Sequence, residues 1–317
     1  MPKKRYASYT PIFAFREEYY QTTLEEVIKK EEQKKAIWAA EHDMRNCVYN
    51  TKATEAGRML EVEIYPAFLH RKDYSRALKE QKTGEAQRKQ NIKNAQRKLI
   101  RLVQSNFAVR DVFFTGGFSR QNQPQNDEEC KKEVARFLDR LKYSCKRAGG
   151  GKIKYIYVIE RTVLADGTVK YHVHILLGRN AGLNSAGMDG RDWIESKWTG
   201  GDYSNTKSLQ WKRQGGFTGI SRYFTKQFED LNPTEHPGSR RWGQSLGLKD
   251  CTAPPQNSYT RFKKRRVAKL VKNEAEIKGE FEREFPGYEY LDDYPCEIRY
   301  SEVIAGYYLY CRMYRRE

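Results

Sequence analysis

An α+β fold, an antiparallel sheet with helices packed on it, is predicted by three observations in the middle of this sequence. Tyr171-His172-Val173-His174-Ile175-Leu176-Leu177 is an apolar run whose alternate residues share a face, so it reads as a half-buried strand. Asp166-Gly167 lies between that run and residues 154–164, a turn dipeptide between two strands and so a hairpin. Upstream, Val134, Phe137, Leu138 and Leu141 recur at helical spacing after Asn126 or Asp127, either of which can cap a helix, and Gly149-Gly150-Gly151 breaks it.

Taken in order, Thr22 or Thr23 with Glu25 or Glu26 forms a capping box opening a charged helix through about Asn50, too poor in apolar positions for a core of its own. Residues 59–65 alternate strictly and read as a strand ended by Pro66. A long basic helix follows, capped near Thr83. Its stripe of Ile92, Ala95, Leu99, Leu102 and Val103 faces inward and its cations Arg88, Lys89, Arg97, Lys98 and Arg101 lie elsewhere. The central block reads strand (109–118), helix, strand, strand, and then, after a glycine-rich loop over 178–192, a short helix, an edge strand and a helix carrying Tyr223. After Asp230 the composition turns to Pro, Ser, Gly and Arg. A basic run, Arg261 to Arg266, an acidic stretch, 274–284, and an aromatic strand, Tyr307 to Tyr310, follow. We expect that last strand to pack a hydrophobic surface. Three regions result: a helix-rich basic N-terminal region with one or more strands (1–104), a central core (105–232), and a basic and aromatic C-terminal extension (233–317).

With 59 Lys and Arg against 41 Asp and Glu, the formal net charge is +18, which calls for a polyanionic partner. Nucleic acid fits better than a membrane, because the mean hydropathy is −0.90 and no apolar run approaches the roughly 18 residues a span needs. The six cysteines are scattered without a C-x-x-C pair, which argues against a zinc ribbon or disulfide framework and for a reducing cytoplasm.

The chemistry concentrates in two places. His172 and His174, two of only five histidines, project together from one strand face and make half of a metal site. Tyr223-Phe224-Thr225-Lys226, if helical, puts a phenol and an ammonium three apart on one face, within reach of the same ligand.

A third element, Val112-Phe113-Phe114-Thr115-Gly116-Gly117-Phe118, precedes both, and the order of the three resembles the HUH endonucleases (histidine, hydrophobe, histidine). The closest likeness is to the rolling-circle replication initiators of phages, plasmids and integrative elements. Their first motif reads roughly F-x-T-L-T-F; this chain matches its ends and first threonine, with Gly116 and Gly117 where Leu-Thr is usual. The stretches from Asn91 to Phe107, Trp198-Thr199-Gly200-Gly201 and Ser245-Leu246-Gly247-Leu248 also resemble the family, so the likeness covers about residues 58 to 255.

The resemblance implies an RRM-like core that nicks and rejoins single-stranded origin DNA through a 5′-phosphotyrosine. Tyr223 would be the nucleophile and Lys226 its phosphate-orienting partner, with Mg²⁺ or Mn²⁺ held by His172, His174 and Glu160. Glu160 depends on the hairpin register: strict two-residue pairing sets it opposite Val173 on the wrong face, and a three-residue connection with a glycine bulge sets it opposite His174. Arg97, Lys98, Arg101, Arg222, Arg240 and Arg241 are the expected DNA contacts. No G-x-x-x-x-G-K-[ST] is present, so unwinding falls to a host helicase and synthesis to a host DNA polymerase, in a bacterial cytoplasm. The competing readings are a single-tyrosine transposase or relaxase with the same site, disfavoured as a relaxase because Tyr223 follows the histidines, and a non-catalytic basic DNA-binding regulator.

Overall fold

The computed structural model describes residues 47–68, 84–179, 190–212, 215–225, 242–251, 262–301 and 306–316. They fall into two compact units. One draws on residues up to 54, 60–86 and 253–317, the other on 55–59 and 87–252.

In the first unit, strands β1 (Cys47–Ala56), β2 (Met59–Phe68), β8 (Tyr288–Tyr290), β9 (Glu297–Ser301) and β10 (Gly306–Arg315) form one sheet in the order β1-β2-β10-β8, with β9 also on β10. Alternation sorts its faces. Leu60, Val62 and Ile64 of β2 and Tyr307, Leu309, Cys311 and Met313 of β10 pack against α5 (Lys264–Lys272) and α6 (Ile277–Glu284) through Val267, Leu270, Ile277 and Phe281. Tyr307 and Tyr310 are both buried, as expected of the aromatic tail. On the other face Arg312 is buried with Glu61 and donates to the Tyr310 hydroxyl at 3.0 Å.

Two expectations fail here. Residues 47–50, expected at the end of the N-terminal helix, belong to β1; the rest of that helix, and the Thr83 cap, lie outside the described residues. Pro66 does not end its strand: β2 continues to Phe68, with Gly306 across from it leaving room for the pyrrolidine ring, since a Cβ there would stand 2.7 Å from Pro66 Cβ.

The second unit contains α1 (Gly84–Asn106), β3 (Val112–Gly117), α2 (Asp127–Arg147), β4 (Tyr155–Val163), β5 (Val169–Leu177), α3 (Gly190–Ser196), β6 (Ser204–Ser208), α4 (Thr218–Thr225) and β7 (Trp242–Gln244). Its five-stranded sheet runs β6-β3-β5-β4-β7 with antiparallel pairs throughout. The α+β class is as expected, and the architecture is compatible with an RRM-like core. The Asn126 side chain accepts from Glu129 N and caps α2, whose Val134, Phe137, Leu138 and Leu141 bury against Phe114, Val173, Ile175 and Leu177 on one sheet face. The first strand is shorter than expected, because Arg110 adopts a φ of 72° and turns the chain before Val112. Most of the 178–192 loop lies outside the described residues.

α1 is tied to the segment after β7, and that segment to the sheet. Asn106 pairs with Lys249 through both its amide atoms, at 2.9 and 2.6 Å, and Ser245 exchanges two bonds with the Tyr155 backbone. Gln104 Nε2 donates to Gly215 O and Thr218 Oγ1 at 3.4 and 3.3 Å, tying α1 to the start of α4.

Candidate active site

The face of the sheet opposite α2 carries the histidines, which lie on β5, the central strand. Because neighbouring strands are in fixed register, its residues form rows. One row reads Tyr203, Gly117, His172, Glu160; the next reads Asn205, Thr115, His174, Val158.

The hairpin register decides where Glu160 stands. Leu164 N bonds to Thr168 O, leaving Ala165, Asp166 and Gly167 as a three-residue loop, and Gly167 has a φ of 79° that favours glycine. This is the three-residue connection, and it turns Glu160 to the histidine face. The partner differs from expectation: Glu160 pairs with His172, not His174, because the loop closes on Leu164 and Thr168 rather than one residue later.

From that position the carboxylate reaches diagonally, with Oε2 2.8 Å from His174 Nε2. Helix α4 brings Tyr223 to the same point. Ile220 and Phe224, four apart, are buried, and Phe224 packs on Phe113 at 5.9 Å between ring centroids. One residue earlier, Tyr223 stands edge-on to the His174 imidazole, its hydroxyl 3.0 Å from Nε2 and donating to Glu160 Oε2 at 3.3 Å. Phe113 stacks on His174 with ring planes 2° apart, and Thr115 Oγ1 lies 3.2 Å from its Nδ1. A hydroxyl can donate or accept, so Thr115 accommodates His174 with its proton on either nitrogen.

Electrostatics follow from this packing. The hydrogen bond with His174 holds the Glu160 carboxyl below the usual glutamate range against its partial burial, helped by the nearby His172 and the Tyr223 hydroxyl. Burial pushes the His172 imidazole below its ordinary value despite the pull of Glu160, favouring the neutral form a metal ligand needs. Tyr171, the other tyrosine near the dyad in sequence, points away: it is buried, donates to Asp127 Oδ1 at 3.0 Å, and burial and the Asp127 charge push its phenol up to about 12.

His172, His174, Glu160 and Tyr223 therefore share one face. As they stand, Glu160 and His174 bond to each other, and among the described residues no three His, Cys, Asp or Glu groups are arranged as an ion cage. The donor set, two imidazoles and a carboxylate on paired strands, fits a divalent ion once that bond is exchanged for it. Lys226, Arg240 and Arg241 lie outside the described residues, and of Arg222 only the helical backbone is described. Arg97, Lys98 and Arg101 sit on α1 rather than on the sheet face.

The two glycines of the first strand have a packing reason. A Cβ on Gly116 would stand 2.8 Å from Trp198 Cε2, and one on Gly117 3.2 Å from Tyr203 Cδ1; the Trp198 indole also donates to Gly117 O at 2.8 Å. Sequence reasoning noted both segments without seeing that they meet.

No described helix is long and apolar enough to cross a membrane, and the five cysteines with described side chains are free thiols. Comparison with curated proteins and with solved structures finds no match. Residues 111–228, from the start of β3 past α4, match the family model of the replication-associated protein ORF2/G2P, which is consistent with a rolling-circle replication initiator.

Proposed function

We propose that this chain is a replication initiator that nicks and rejoins single-stranded origin DNA, with Tyr223 as nucleophile and His172, His174 and Glu160 holding Mg²⁺ or Mn²⁺. The observation that carries the reading is the Tyr223 hydroxyl, which lies within hydrogen-bond distance of both His174 Nε2 and Glu160 Oε2, at 3.0 and 3.3 Å. The match of residues 111–228 to a replication-associated family supports the biological setting.

A phenol with an ordinary pKa near ~10 is a weak nucleophile at neutral pH, so its proton needs a destination. Here Glu160 Oε2 accepts from the hydroxyl. In the forward step the Tyr223 oxygen bonds to phosphorus as the P–O3′ bond breaks. The phenolic proton leaves by way of the Glu160 carboxylate or to solvent, and the departing oxygen takes up a proton to become a free 3′-hydroxyl. Rejoining reverses each event, so no nucleotide cofactor is consumed. A bound divalent ion would add Lewis-acid polarisation of the scissile phosphate. Phe113, stacked on His174, and Thr115, at its far nitrogen, keep the ring oriented while protons move.

Incubation with single-stranded oligonucleotide pools tests this. We expect cleavage with Mg²⁺ or Mn²⁺ that a chelator abolishes. Retention of DNA without cleavage under any divalent ion would favour the non-catalytic regulator.

A further inference from the structure

Strand β6 is the edge of the catalytic sheet among the described residues, and its site-side face is polar and aromatic. Alternation along it puts Tyr203, Asn205 and Lys207 on the histidine face, and Ser204, Thr206 and Ser208 on the other. Thr206 is buried. A strand face meant only to pack a helix or loop would carry apolar residues; this one carries a ring, an amide and an ammonium. Tyr203 is 40% exposed.

The ring lies beside the dyad. Gly117 N donates to Tyr203 O at 2.9 Å, and Gly117 pairs with His172 on its other side. A Cβ on Gly117 would stand 3.2 Å from Tyr203 Cδ1 and 3.6 Å from His172 Cδ2, so phenol and imidazole flank a position with no side chain of its own. With strands about 4.8 Å apart, Tyr203 sits two strands, about 10 Å, from the backbone of His172.

We propose that β6 is the strand along which single-stranded DNA enters the site, with Tyr203 stacking the base next to the phosphate that lies over the dyad. Asn205 faces a base edge further along, and Lys207 adds positive charge for the following phosphate. A phenol suits a single strand, because every base offers a π-face and in a duplex those faces are covered by the neighbouring stacked pairs. The inference rests on the replication reading and names how its substrate is held.

The test compares binding of a short oligothymidylate with an abasic phosphodiester strand of equal length at one salt concentration, using the full chain carrying Tyr223→Phe so that nothing is cleaved. The abasic strand keeps every phosphate and loses every base. We expect a clear preference for oligothymidylate, kept by Tyr203→Phe and reduced about tenfold by Tyr203→Leu. Thermal unfolding of both variants establishes that they fold. An unchanged preference in Tyr203→Leu overturns the stacking role and leaves the replication reading standing. Failure of the Tyr223→Phe chain to hold either strand at low salt overturns both. Equal or tighter binding of duplex than of single strand overturns the assignment of β6 to an unpaired strand.

Discussion

Glu160 is paired across the hairpin with His172, yet its carboxylate reaches His174, two residues along β5, at 2.8 Å. One carboxylate therefore spans both histidines of the dyad, by its position to one and by its hydrogen bond to the other. Glu160→Gln keeps the shape and removes the charge that a hard cation prefers. Nicking by this variant should need more Mg²⁺ or Mn²⁺, on the order of tenfold, while binding of uncleaved DNA changes little. A metal titration that superimposes on the parent's would remove Glu160 from the ligand set.

The glycines of β3 give a packing prediction. Gly116→Leu restores the leucine of the resembling motif but drives a side chain into Trp198, itself wedged edge-on against Phe137 at 5.3 Å. Overpacking of this kind costs about 1–3 kcal/mol, so the midpoint of thermal unfolding should fall by several degrees. A midpoint at or above the parent's would mean the indole has room to move aside.

In the first unit Arg266 bonds to Glu280 and Glu284, each at 2.7 Å. Partial burial works against ionisation of Glu280, but Arg266 and Arg283 outweigh it and hold the carboxyl below its ordinary 4.5. A depressed folded value means the stabilisation is complete above 4.5 and is lost as pH falls through the folded value. Glu280→Gln should thus be less stable than the parent at neutral pH, with the difference closing below pH 4.5 in denaturant titrations. A difference independent of pH would assign the effect to packing.

What the sequence disclosed and what it hid both have physical reasons. The dyad was legible because two histidines at period two in an apolar strand share a face whatever the rest of the fold does. The side taken by Glu160 was legible from Gly167, but its partner was not, because a three-residue loop can close on either of two residue pairs and local chemistry does not choose. β1 was hidden because its pairing with β2 is a tertiary event, and a charged stretch before it looks helical. The edge strand before the Tyr223 helix was expected and is β6, though not which of its residues face the histidines; the short strand Trp242–Gln244 left little trace, since so brief a strand lacks the apolar alternation that betrays a buried one. Which aromatic ring lies on the site, Phe113 over His174, and which backs the sheet from its other face, Trp198 under Gly116, follows only from the assembled sheet.

As the proposed nucleophile, Tyr223 becomes covalently joined to DNA. Incubating the chain with single-stranded DNA and a divalent ion, digesting the product and mapping the nucleotide-bearing peptide by mass spectrometry tests it directly. A phosphotyrosyl adduct is expected on Tyr223, absent from Tyr223→Phe and from the double variant His172→Ala, His174→Ala. An adduct that persists in Tyr223→Phe, or that maps to another residue, would contradict it.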